Sequence, residues 1–185
     1  ETRRQGRVDQ LEALGDDLSR PEDAKRLFER ADREFDGLDF FVGNAGVWSS
    51  QPVALADMEE KQWRETLACN IDSIFYTTKE AVSRMRTGGA VVLVSSTAGQ
   101  RGEAYHGDYA ASKGALNTMT VSLARALAPE GRGNAVSPGL FPSRWWSEGL
   151  GEERYHRLVD QFVSAVPLKA AATPETLAES VVWLL

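Results

Sequence analysis

Ala90-Val91-Val92-Leu93-Val94-Ser95-Ser96 is the stretch on which the fold turns. Its five aliphatic residues show no polar alternation, the pattern of a strand buried on both faces inside a parallel sheet. Upstream, Leu38-Asp39-Phe40-Phe41-Val42 reads as a second short strand, running into Gly43-Asn44-Ala45-Gly46. Between them a long helix is expected from Asp57, with Glu60 as capping partner. It carries Trp63, Leu67, Ile71, Ile74, Phe75, Val82 and Met85 on one face, and Thr87-Gly88-Gly89 breaks it. Downstream, a helix over 109–128 leads through Gly131 and Gly133 to a strand, Asn134-Ala135-Val136-Ser137, ending at Pro138-Gly139. A first helix follows Ser19 as cap, with Pro21 and Glu22 in its opening turn. Others are expected over 152–162 and from Thr173-Pro174-Glu175 onward. Strand and helix alternate throughout, which implies an α/β fold with right-handed crossovers and helices on both sheet faces. Its 185 residues suit a single domain, 1–185.

Composition narrows the functional classes. A formal net charge of -6, without a basic cluster, argues against nucleic-acid or anionic-membrane partners. No apolar run reaches the length of a membrane span. Cys69 is the single cysteine, so an intrachain disulfide and a cysteine metal cluster are ruled out. No metal site is expected, and the reading favours a reducing cytoplasm. Cys69 itself is expected as a buried small hydrophobe.

Three strand ends carry unusual residues: Asn44-Ala45-Gly46, Ser95-Ser96 and Pro138-Gly139. In open parallel sheets the ligand crevice lies beyond the carboxyl ends of the strands, so one cleft is expected there. Tyr109-Ala110-Ala111-Ser112-Lys113 stacks a phenol and an ammonium on one helix face. A neighbouring cation favours phenolate, which lowers the tyrosine pKa and suits proton exchange with an alcohol or carbonyl oxygen. Ser96 lies thirteen positions upstream at a strand end, where its hydroxyl can hold that oxygen. Ser95 is its neighbour, and the spacing to Tyr109 favours Ser96. Asn70 reads either as part of a proton relay or as a helix residue serving a local carbonyl. His106 is expected at the cleft mouth as a loop residue rather than a base.

The set Asp17-Leu18, Gly43 to Gly46, Asn70, Ser95-Ser96, Tyr109-x-x-x-Lys113, Asn134 to Gly139 and Ser143 resembles a classical short-chain dehydrogenase/reductase. The pieces occur in that family's order and at its spacings, over essentially the whole chain. The resemblance implies a doubly wound, Rossmann-like parallel sheet and an NAD(P)-dependent oxidoreductase acting on a secondary alcohol or ketone. Tyr109 would be the general acid/base and Ser96 would orient the substrate oxygen. Lys113 would lower the tyrosine pKa and hold the nicotinamide ribose, and Asn70 would support a water relay. Asp17 would contact adenine, and Asn44, Ala45 and Gly46 would flank the adenosine. Pro138, Gly139 and Ser143 would meet the nicotinamide carboxamide. The cofactor would be NAD or NADP, with NADP favoured by the analogy. The stretch Pro138 to Arg144 is similar to 3-oxoacyl reductases, and Trp145-Trp146 in the expected lid suggests an apolar or acyl substrate. Homo-oligomer contacts would use the helices at 57–86 and 109–128.

The chain departs from that pattern in places. No Gly-x-x-x-Gly-x-Gly precedes Asp17, so the expected sheet lacks its first strands with the Gly-rich loop, and also its last strand. Gly43 and Gly133 stand where an asparagine and a β-branched residue are usual, and both are expected to weaken the structure. An alternative expectation is therefore a non-catalytic fragment that keeps the fold and association surfaces without binding dinucleotide. A serine hydrolase is set aside, because no Gly-x-Ser-x-Gly elbow or partnered histidine is found.

Overall fold

The computed structural model describes residues 17–140 and 151–185. Three strands, β1 (Leu38–Gly43), β2 (Met85–Val94) and β3 (Arg132–Val136), form one parallel sheet in the order β1-β2-β3. Phe40 to Gly43 pair with Ala90 to Leu93, and Ala90 to Val94 pair with Arg132 to Val136.

The helices are α1 (Pro21–Glu34), α2 (Glu60–Leu67), α3 (Ser73–Val82), the four-residue α4 (Ala98–Arg101), α5 (Gly107–Leu127), α6 (Glu152–Ala165) and α7 (Pro174–Leu184). Val91 and Leu93 join Ile74 of α3 and Leu116 of α5 in the core on one face of the sheet. Alternation turns Ala90 and Val92 to the other face, where they are equally buried and where α7 packs on β2 and β3. Helices thus cover both faces, as expected of a doubly wound sheet. Each fully buried core side chain contributes about 1.5–3 kcal/mol of hydrophobic stabilisation.

Several boundaries differ from the sequence reading. Ser19 does not cap α1: its hydroxyl and N–H both go to Asp17 Oδ1, at 2.6 and 3.1 Å. The carboxylate is the stronger acceptor and closes a local turn, leaving Arg20 at the N-cap without a side-chain bond. The helix expected from Asp57 to the Thr87-Gly88-Gly89 break runs without interruption only from Glu60 to Val82, with a π turn inside it. A 3₁₀ turn spans Leu55–Asp57, α2 starts at Glu60, and a π turn over Ala68–Asp72 separates α2 from α3. It ends at Val82 because the Glu80 carbonyl is taken by the Ser83 hydroxyl and the Arg84 guanidinium. Met85 consequently starts β2. In contrast, Thr173 caps α7 through the Thr176 N–H, as its sequence suggests. Cys69 is half-buried rather than buried.

The two unexpected glycines turn out to be accommodations. A Cβ on Gly43 would stand 2.8 Å from Leu93 Cδ2, and one on Gly133 would stand 3.2 Å from the Ala124 backbone nitrogen. Glycine at these sites lets Leu93 fill the core and lets α5 lie close on β3, which opposes the weakening expected from sequence. No helix among the described residues is long and apolar enough to cross a membrane.

Candidate active site

The sheet delivers its carboxyl ends to one place. β2 and β3 stay joined beyond their last residues: Ser95 N–H donates to the Val136 carbonyl at 2.8 Å, and Thr97 N–H to the Pro138 carbonyl at 2.9 Å. The result is a cleft of about 950 Å³, whose walls include Asn44, Gly46, Ser96, Tyr109, Lys113, Pro138 and Gly139. This is the crevice expected beyond the ends of parallel strands.

Tyr109 stands in the first turn of α5, which is fixed by a buried polar ladder. Asp108 accepts from the Tyr109 N–H (2.8 Å), from Thr66 Oγ1 (2.8 Å) and from Gln62 Nε2 (3.2 Å). One turn later the Ser112 hydroxyl donates to the Tyr109 carbonyl (2.7 Å) and accepts from Asn70 Nδ2 (2.9 Å). Thr66 and Asn70 therefore meet Asp108 and Ser112 at matching i,i+4 spacing. An acidic side chain in the first helical turn is also favoured by the helix dipole.

The adjacent serines divide their tasks. The Ser95 hydroxyl is buried and donates to the Lys113 carbonyl at 2.8 Å, while Ser96 is partly open, lines the cleft with Tyr109, and its Oγ accepts the Ala98 N–H at 3.1 Å. Ser96 sits just before α4, which presses directly on α5. A Cβ on Gly99 would collide with the Lys113 carbonyl carbon and the Gly114 nitrogen. Only glycine admits that approach.

Lys113 is buried, and its Nζ donates to the Val94 carbonyl at 2.9 Å, 5.8 Å from the centre of the Tyr109 ring. Burial pushes its pKa down to about 8. The Tyr109 phenol moves the opposite way from the expectation. Burial raises it first, the hydrogen bond with Ser96 opposes, and the Glu103 charge adds to the rise. Desolvation dominates, and the Lys113 ammonium, turned to the Val94 carbonyl, does not offset it.

Asn70 is fully buried in the π turn, a helix irregularity that recurs at functional sites. Its Oδ1 accepts from the Val47 N–H (2.7 Å), and Nδ2 donates to the Val47 carbonyl (2.9 Å) as well as to Ser112. Both polar atoms of that side chain bond main-chain groups of Val47, so the amide positions the chain beyond β1, and Oδ1 keeps a second lone pair free of these bonds.

The residues present fit the nicotinamide end of a dinucleotide. A Cβ on Gly46 would lie 3.2 Å from Asn70 Oδ1 and 3.3 Å from Lys113 Nζ, so the glycine keeps the lysine's surroundings open. Asn44, Pro138 and Gly139 line the same cleft. Other sequence candidates do not join them. Ala45 is exposed and does not line the cleft. Asp17 stands apart, its carboxylate held below the usual range by hydrogen bonds from the Ser19 side chain and backbone. Ser143, Trp145 and Trp146 lie outside the described residues.

Sequence reasoning missed Asp108 and Ser112, whose signal was available as polar residues flanking Tyr109 on a helix that must be buried. His106 lines the cleft just before α5, as expected, but it is buried there, stacked on Trp48 beside Glu103.

Known proteins resemble this chain in sequence and in fold. A family profile described as enoyl-(acyl carrier protein) reductase matches residues 3–185. A Streptomyces violaceoruber chain assigned as ketoacyl reductase 2 of the granaticin polyketide synthase is 35% identical over 91% of this chain and 68% of its own length. The acetoacetyl-CoA reductase of Cupriavidus necator is 28% identical over 98% of this chain and 75% of its own. Among solved structures, the glucose/ribitol dehydrogenase-type short-chain dehydrogenase/reductase of Brucella melitensis has a TM-score of 0.78 and 32% identity. It is covered over 64% of its length by 91% of this chain. With the profile spanning nearly every residue and the strand-end cleft in place, the chain belongs to the short-chain dehydrogenase/reductase family of oxidoreductases.

Proposed function

We propose that the protein is an NAD(P)-dependent oxidoreductase that interconverts a secondary alcohol and a ketone, with Tyr109 as general acid/base. The observation that carries this reading is the meeting of Ser96, Tyr109 and Lys113 at one cleft wall. The dinucleotide supplies or accepts the hydride when bound. The chain's own part is to position the reactants and move one proton. Burial favours the protonated Tyr109 phenol, the state that donates to a developing alkoxide. Ser96 Oγ shares that oxygen with Tyr109 Oη, and two preoriented donors in a partly dry cleft stabilise the charge as it forms. Lys113, Asn44, Gly46, Pro138 and Gly139 hold the nicotinamide end. Asn70 acts through Val47 and Ser112.

The substrate class proposed is a 3-oxoacyl compound, supported by the named activities of the two reductase relatives. NADP is the favoured cofactor by the same analogy. A cytoplasmic homo-oligomer completes the reading, associating through α2–α3 and α5, where Phe75 and Val121 are exposed.

Tyr109→Phe tests the reaction. It should lower turnover by about 10²–10⁴-fold while leaving dinucleotide binding unchanged, and undiminished activity would remove Tyr109 from its role. A second reading is a chain that keeps fold and association surfaces without binding dinucleotide. It is favoured by the outer edge of β1, which has no strand partner among the described residues and exposes Phe40 and Val42. Titrating NADH and NADPH against tryptophan fluorescence separates the two: micromolar affinity selects the enzyme, and its absence selects the second reading.

A further inference from the structure

The cleft carries charge that the proposed reaction leaves unused. The chain has a formal net charge of -6, yet among the described residues four cationic side chains, Arg101, Lys113, Arg154 and Arg157, line the cleft against one carboxylate, Glu103. Lys113 is buried and committed to Val94, and Glu103 is turned to His106 at 3.5 Å. The three arginines are exposed, so an incoming ligand can reach them. Arg101 ends α4 and lines the cleft from the wall that holds Ser96. The other two are aimed by α6. Arg154, Arg157, Leu158, Gln161 and Phe162 line the cleft at helical spacing, so a single face of α6 looks into it. Glu152, Glu153 and Asp160 of the same helix do not line it, which sorts the charges of α6 into cations inward and carboxylates outward. Arg157 shares its charge with Glu153 at 3.0 Å, whereas Arg101 and Arg154 have no side-chain hydrogen bond or ion pair among the described residues. Arg154 stands in the first turn of α6, where the helix dipole disfavours a cation, so helix stability does not account for it. At the other end of that face Phe162 fixes the position, since a Cβ on Gly139 would lie 3.5 Å from its Cζ. Two turns and more of helix put the Arg154 backbone about 12 Å beyond that contact.

We propose that these arginines form an anion subsite, at which the substrate seats a carboxylate or phosphate remote from its reacting carbonyl. Guanidinium groups match the paired oxygens of both anions and keep their charge at any pH the protein meets. Leu158 lies between Arg154 and Phe162 on the same helix face, and with Phe162 it accommodates the methylene chain joining the two ends. An excess of cations in the cleft of an acidic protein also draws anionic substrates ahead of neutral ones. The subsite narrows the 3-oxoacyl class to members that carry an anion. It rests on the proposed reaction only for the carbonyl end.

Calorimetric titration without dinucleotide tests the subsite. The probes are methyl-ketone carboxylates of five, seven and nine carbons, their neutral methyl esters, and 5-oxohexyl phosphate. At low salt at least one anion should bind about tenfold or more tightly than the esters, with the advantage shrinking as salt is added. Arg154→Gln and Arg101→Gln should each cut anion affinity by about threefold or more and leave ester binding unchanged. Arg154→Lys, which keeps the charge, should restore part of the loss. Arg33→Gln, which removes an exposed charge outside the cleft, should have no effect. Whichever of carboxylate and phosphate gains more identifies the anion. Equal affinities for anions and esters, an absence of anion binding, or equal losses from Arg33→Gln and Arg154→Gln would overturn the assignment. So would a loss of NADH affinity in Arg154→Gln with keto-acid affinity intact, which would give the arginines to the cofactor. Tyr109-dependent turnover without anion preference would remove this inference alone. Arginine-dependent anion binding without turnover would sustain it and remove the reaction.

Discussion

β1 and β2 are neighbours that each carry an apolar run, yet the protein treats them differently. Val91, Val92 and Leu93 of β2 are each 0% exposed, whereas Phe40 and Val42 of β1 are 49% and 38% exposed. β2 has a strand on each side and helices on both faces, while β1 is paired on one side only among the described residues. Their carboxyl ends are also held by different chemistry. β2 ends under a buried lysine, which donates to Val94 and whose carbonyl accepts the Ser95 hydroxyl. The chain beyond β1 is held by a neutral amide, with Asn70 pairing both main-chain groups of Val47. An apolar strand thus states only that it can be buried; its neighbours decide whether it is.

The contrast can be broken at four points. Leu93→Ala removes a fully buried side chain from the cluster with Ile74 and Leu116, and should cost about 3 kcal/mol in urea denaturation. Asn70→Ala leaves the Val47 N–H and carbonyl without their partner and should cost about 2 kcal/mol. The Val47 amide should also lose hydrogen-exchange protection, and unchanged protection would show that the loop beyond β1 is held by something else.

Lys113→Met separates the two tethers by pH. With the folded pKa near 8 against an unfolded value of about 10.5, the unfolded chain binds more protons across that window. Stability therefore rises with pH through it, and is lost again as pH falls through the folded pKa. Relative to Lys113→Met, the wild type should gain on the order of 1–2 kcal/mol between pH 7.5 and 9.5, read from paired denaturation curves. Parallel curves would mean that Lys113 is not desolvated. The smallest effect belongs to β1: Phe40→Thr should stay within about 0.5 kcal/mol of wild type. A loss as large as that of Leu93→Ala would show Phe40 to be packed and would erase the contrast.

Much of this was legible in the sequence, for reasons tied to particular residues. The unbroken run Ala90 to Val94 announced a central parallel strand, and the Tyr109–Lys113 helix was placed to within two residues at its start. The convergence of Ser96, Tyr109, Lys113, Gly46 and Pro138 followed from small residues and glycines at strand ends. The π turn at 68–72 was not legible, since hydrophobic spacing does not record one extra residue in a helical turn. The pairing of Thr66 and Asn70 with Asp108 and Ser112 was hidden because periodicity is read from apolar residues, and here the buried stripe is polar. The direction of the Tyr109 shift needed burial, which spacing alone does not supply.

The contact between Gly99 and α5 has a mechanical consequence. Ser96 and the Tyr109–Lys113 pair sit on elements that touch backbone to backbone, with no side chain between them at Gly99 and Gly114. A joint of that kind has no rotamers to hop and no compressible layer, so side-chain fluctuation elsewhere in the core is poorly transmitted across it. The gap between hydroxyl and phenol is then set like a machined clearance, by main-chain geometry. A Gly99→Ala substitution would act as a shim, widening that gap while every proton-handling group kept its chemical identity.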